Sequence, residues 1–163
     1  MTTTRTALRE EISKRLLPAL FEAGYRGPAI LKGNAILHEF RRPTADGTHV
    51  LTIQFEKHGL PRFILLFYIE PTGGMNDVIS NGGSVQGGSL KSKKGAFSRS
   101  WFRADPTIWQ RIFPRTRALE VAAVDSCIGL LPELESWWQS QQPTSHIDSW
   151  PTKYPGVNKS HAN

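Results

Sequence analysis

Lys91, Lys93, Lys94, Arg99 and Arg103 fall close together with Trp101 and Phe102, and only Asp77 opposes these cations across residues 72–104. Cations interleaved with aromatics track phosphates and stack bases. Weak nucleic-acid binding through residues 91–103 is therefore one expectation, although no helix-turn-helix or RNP-type motif accompanies it. A second set, Glu39, Arg41, Gln54 and Glu56, offers two carboxylates beside a cation, the residue types of acid–base chemistry. The same residues make an ordinary solvated, ion-paired sheet face. An enzyme of unknown reaction using Glu39, Arg41 and Glu56 is the lesser alternative.

Three further patterns fall short of a catalytic, metal or cofactor site. The run from Gly82 to Ser89 contains Gly82-Gly83 and Gly87-Gly88, as a phosphate cradle requires, but Ser89-Leu90 follows where a nucleotide loop needs Lys-Ser/Thr and then a helix. It reads as a flexible loop. His38, His49, His58, His146 and His161 lack the spacing that brings two ligands to one metal. Cys127, the single cysteine, lies among Val121, Ala122, Ala123, Val124 and Ile128, the setting of an inert core thiol. No catalytic residue, metal or cofactor is assigned.

These residues need elements to hold them. Leu8, Ile12, Leu16 and Leu20 recur every four residues and predict an N-terminal helix that Gly24 stops and Pro18 bends or breaks near Leu17. From Ala35 the period becomes two, predicting strands over Ala35–Arg42, His49–Lys57 and Arg62–Glu70. Asp46-Gly47 predicts a type I′ hairpin that pairs Glu39 with Gln54 and Arg41 with Thr52. On that register Ile36, His38, Phe40, Leu51, Ile53 and Phe55 share an apolar face. Glu39, Arg41, Thr52, Gln54 and Glu56 share the polar one. The third strand is apolar on both sides, so Ile64, Leu66 and Tyr68 need cover from later helices, the C-terminal tail, or a second subunit.

Residues 72–96 hold seven glycines and predict a mobile Gly/Ser/Lys loop. A short fourth strand over Phe97–Arg103, a helix from Asp105-Pro106 through Phe113, and a helical stretch from Thr116 to Gln141 interrupted at Pro132 complete the pattern. The predicted class is α+β: an antiparallel sheet of three to four strands packed against an N-terminal helix and C-terminal helices. Residues 1–142 form the expected domain, and 143–163 a Pro-rich polar tail with Trp150 and Tyr154 as anchors. The chain has 163 residues, formal charge +6 and 39% hydrophobic content, within the range of one globular domain. The lone cysteine, a polar N-terminus and the lack of a long apolar run predict a cytoplasmic chain without membrane insertion.

Leu16-Leu17-Pro18-Ala19-Leu20 followed by Gly24-Tyr25, the strand Phe40-Arg41-Arg42 and the strand Ile53-Gln54-Phe55 resemble a bacterial family, domain of unknown function 4304, over roughly residues 8–71. In that family the glutamine strand continues with Lys or Arg and Ser, where this chain has Glu56 and Lys57. The resemblance implies an α+β fold without an established reaction, and by analogy a toxin-neutralising or regulatory protein partner. The leading expectation is a non-catalytic protein-binding module. It would recognise a protein partner, or a second copy of itself, through Glu39, Arg41, Gln54, Glu56 and Tyr68 and the glycine–lysine segment.

Overall fold

The computed structural model describes residues 4–31, 33–92, 100–106 and 117–153. The N-terminal helical stretch runs as α1 (Thr4–Glu11), a π-helical turn (Ile12–Leu16) and α2 (Leu17–Glu22). Pro18 has no N–H to return to the backbone. The helix absorbs this one residue earlier, where the Leu17 N–H reaches the Ile12 carbonyl in an i→i−5 bond, so the stretch re-registers instead of breaking. Gly24, at φ +91°, ends it, and the Tyr25 N–H closes back on the Leu20 carbonyl at 3.0 Å.

The sheet is antiparallel and open. It comprises β1 (Leu37–Thr44), β2 (Gly47–Phe55), β3 (Arg62–Glu70), β4 (Ser84–Leu90), β5 (Phe102–Arg103) and β6 (Ile147–Lys153), with a short α3 (Met75–Asn81) between β3 and β4. The spatial order is β1-β2-β3-β4-β6, and β5 pairs with β3 beyond the end of β4. The α+β class is as expected, but the described residues form six strands where three to four were predicted.

The two added strands come from segments that composition had assigned elsewhere. Residues 72–96 were expected to be a mobile loop, yet they include α3 and β4. Gly87 and Gly88 are there because a Cβ at Gly87 would lie 2.7 Å from the Phe67 carbonyl oxygen, and one at Gly88 would lie 2.3 Å from that of Asp148. The expected tail likewise contains β6, which pairs along its length with β4, Ile147 opposite Leu90 and Lys153 opposite Ser84. Pro151 is tolerated because β6 is an edge strand. Of the strand expected over Phe97–Arg103, Phe102–Arg103 form β5, Ser100 and Trp101 do not extend it, and 97–99 lie outside the described residues. Asp105 and Pro106 are not helical, and the rest of that expected helix, like Tyr154 and His161, lies outside the described residues.

The hairpin register also differs from expectation. Thr44 pairs with Gly47, leaving Ala45-Asp46 as the loop, so Glu39 faces Thr52 and Arg41 faces Val50. Ala45 and Asp46 both keep negative φ, which rules out a type I′ turn. The cause lies in the neighbouring strand. Gly47, at φ +142°, approaches β3 so closely that a Cβ would stand 2.3 Å from the Glu70 carbonyl oxygen, so the glycine is needed in the ladder. The slip is two residues, so every side chain keeps its face.

One face of the sheet carries the core. Phe40, Leu51, Ile53, Phe55, Phe63, Leu65, Phe67, Leu90 and Ile147 pack against Leu8, Ile12, Leu16 and Leu20 from the N-terminal stretch. They also meet Val124, Cys127, Leu134 and Trp137 from α4 (Ala118–Gly129) and α5 (Leu131–Ser140). Pro132 sits in the first turn of α5, where its missing N–H costs nothing. No helix among the described residues is long and apolar enough to cross a membrane.

Candidate functional site

Among the described residues no helix packs on the opposite sheet face as on the first, and strand pairing sets its side chains in rows. Glu39, Thr52, Leu66, Ser89 and Asp148 are lateral neighbours across β1, β2, β3, β4 and β6. The next row is Arg41, Val50, Tyr68, Gly87 and Trp150, and Leu37, Gln54 and Ile64 stand on the other side. Gly87 leaves a position without a side chain opposite the Trp150 indole. Val50, Ile64 and Val85 are buried on this face, outside the main core. Leu37 and Trp150 are 58% and 41% exposed, large apolar side chains left open to solvent on a half-covered sheet.

A hollow of about 700 Å³ opens here, floored by Gln54, Ile64, Leu66 and Ser89 and bordered by Trp101, Pro143 and Trp150. A second hollow of about 250 Å³ shares Leu66 and Trp150 and extends towards Leu37, Tyr68 and Val85. Together they form a groove across the strands. Lys91 and Asp148 meet as an ion pair at one end, so the charge there is balanced. Ser89 is 1% exposed, and among the described residues its hydroxyl has no hydrogen-bond partner. An apolar groove with few polar groups is the usual form of a binding site.

The approach of β6 to this face is held from the helical layer. Glu133 of α5 accepts from the His146 N–H at 3.1 Å and faces His146 Nδ1 at 2.9 Å. Burial pushes its pKa up, but the hydrogen bonds from Thr144 and His146 outweigh this and hold it below the ordinary carboxylate value.

The residues singled out from sequence divide. Gln54, Tyr68, Lys91 and Trp101 line the groove. Glu39 and Arg41 pair with each other at 2.7 Å, and Arg41 also pairs with Glu70. Both Glu39 and Arg41 are largely solvated. Glu56 caps the following turn, accepting the His58 and Leu60 N–H groups at 2.7 and 3.1 Å. With Glu39 opposite Thr52, Glu56 stands four residues further along β2, roughly 13 Å at ordinary strand rise. The expected Glu39–Arg41–Glu56 constellation is therefore not assembled. Arg103 pairs with Asp105 at 2.6 Å and lines a separate hollow against α4, so the expected basic stripe is divided. Lys93, Lys94 and Arg99 lie outside the described residues. Sequence reasoning missed Leu37, Ser89, Asp148 and, as a wall of a site, Trp150. Alternation of Ile147 and Ser149 with Asp148 and Trp150 was the available signal, hidden by its shortness and by Pro151.

Among the described residues no group of three or more histidine, cysteine, aspartate or glutamate side chains is placed to hold a metal. No known family, curated protein or solved structure matches the chain.

Proposed function

We propose that the chain is a non-catalytic binding module that receives a short apolar segment of a partner protein in the groove of its uncovered sheet face. The observation that carries this reading is the groove itself, in which Leu66 and the exposed Trp150 join two hollows on one side of a sheet whose other side holds the core. Tryptophans that border a concave apolar surface act as anchors for a partner's side chain, because burial of one indole removes much apolar area at little entropic cost. Gln54, Ser89 and the Lys91–Asp148 pair would orient the segment by hydrogen bonds. Self-association through Leu66 and Tyr68 belongs to the same reading, with a second copy as the partner.

Capture of partners from an extract of the native host, using the full chain, tests this. Trp150→Ala and Trp101→Ala are expected to lose a partner that Arg41→Ala, on the same face but outside the groove, retains. Recovery of the same proteins by native chain and both tryptophan variants would refute the groove as the site. Single-stranded nucleic acid is the second reading, favoured by Trp101 beside the basic segment. Lys91 and Arg103 are each engaged by a carboxylate, which lowers their value as phosphate contacts. Steeply salt-dependent binding of random-sequence RNA or DNA would favour it, and no binding at low salt removes it.

A further inference from the structure

We propose that the corner between α1 and the start of β1 is a binding site for a small tetrahedral oxyanion of the phosphate or sulfate class. Arg5 and Arg9 stand four residues apart on α1 and therefore share a helix face. Both guanidinium groups lie over the Phe55 ring, with Cζ at 5.8 and 4.6 Å from its centroid, and the His38 ring meets the same phenyl edge-on at 5.8 Å. Two guanidinium groups and an imidazole are thus gathered at one corner of the core. The Arg9 side chain is 6% exposed and His38 8%.

Among the described residues no carboxylate pairs with Arg9 or His38. The charge acting on Arg9 is that of Arg5, and those acting on His38 are Arg9 and Arg5. Arg9 gives two nitrogens of its fork to the carbonyls of Gly33 and Ala35, which fastens the loop before β1. Among the described residues its Nε is buried without a partner, as are Nε and Nη2 of Arg5 and Nε2 of His38. Nε and Nη2 form the side-on edge of a guanidinium, the fork that grips an oxyanion through two parallel bonds. Buried N–H groups of a cation left without an acceptor are costly, and an anion is the group that satisfies several at once.

The Arg9 end of the site borders a hollow. This hollow, of about 630 Å³ between the N-terminal helical stretch and residues 29–31, 33 and 34, opens onto Arg9, with Thr6, Ser13 and Asn34 in its wall. Glu10, the one carboxylate lining it, is engaged by Arg117 at 2.6 Å.

The test is thermal unfolding of the full chain against sulfate, phosphate and glycerol phosphate, with ionic strength held constant by chloride. A saturable rise in the midpoint is expected, separate from the unsaturable general effect of sulfate on burial. Arg5→Gln should raise the half-saturating concentration by at least about tenfold, the value of one lost bidentate contact. Arg15→Gln, which removes an arginine paired with Asp125, should leave it unchanged. Circular dichroism confirms that both variants are folded. A lower half-saturation for glycerol phosphate than for sulfate identifies a phosphate monoester as the occupant, and the reverse a free anion. An unsaturable response in the native chain, or a saturable one that Arg5→Gln keeps, overturns the proposal.

Discussion

Acidification from pH 7.5 to 5.5 should destabilise this protein progressively, with His38 and His49 contributing to the slope. His49 lies flat on Trp138, with ring centroids 4.0 Å apart, and its Nδ1 stands 3.1 Å from Arg42 Nη2. Arg42 is held in turn by Glu135 through bonds of 3.0 and 2.9 Å and can only donate, so His49 must accept and remain neutral. Burial first and Arg42 second push its pKa below the ordinary value, against the smaller pull of Glu135 and Asp46. His38 is shifted the same way by burial and then by Arg9, with Arg5 adding to it and an Ala35 backbone hydrogen bond opposing. A histidine with a depressed folded pKa binds more protons when unfolded. Its stabilisation is therefore complete above the unfolded value of about 6.5 and is lost as pH falls from there towards the folded pKa. Each proton contributes up to about 1.4 kcal/mol per pH unit, and the two together up to about 2.8. Against a total stability of roughly 5–15 kcal/mol that is a large fraction. Urea unfolding in chloride buffers at half-unit pH steps measures it. His49→Gln keeps an acceptor for Arg42 but cannot titrate, and should lower the slope by one proton. A stability that stays level between pH 7.5 and 5.5, or a slope that His49→Gln leaves alone, would refute the reasoning.

Gly47→Ala should cost about 2–4 kcal/mol in chemical unfolding, from its positive φ and the collision of a Cβ with the Glu70 carbonyl. A loss under about 0.5 kcal/mol would contradict the hairpin register. A chain ending at His146 removes all of β6 and the fully buried Ile147, uncovers the edge of β4, and is expected to be insoluble or unfolded by circular dichroism. A folded truncated chain would restore the 143–163 segment to the status of a tail. Cys127 is fully buried, and burial raises its thiol pKa, so a thiol-reactive dye should label it only through unfolding, at least about a thousandfold slower than in urea. Labelling at the denatured rate in native buffer would contradict this.

How much of the molecule could be read without its structure is best seen along the hairpin. Alternation assigned His38 to Arg41 and Leu51 to Phe55 to their correct faces, because the period of two survives any even slip in register, whereas Ile36 lies before β1 and is exposed. The partner of each residue could not be read, because the Asp-Gly pair advertises a local turn while Gly47 answers to the approach of β3. The same limit applies to β4. Its glycines resemble those of a linker until Phe67 and Asp148 are seen pressing on either side. The candidate groove was half legible. Tyr68 and Leu66 stood out because an apolar strand with two faces demands cover, and Lys91 and Trp101 because charge and aromaticity cluster. Trp150 and Asp148 did not, since seven residues interrupted by a proline form a strand only when an edge is waiting for them. Local patterning thus determined the N-terminal helical stretch, the helices over residues 118–140, the faces of the first strands and the α+β class, through periods set by backbone geometry. Sheet order, register and the assembly of the groove were decided by contacts between distant segments, whose energies no short window of sequence contains.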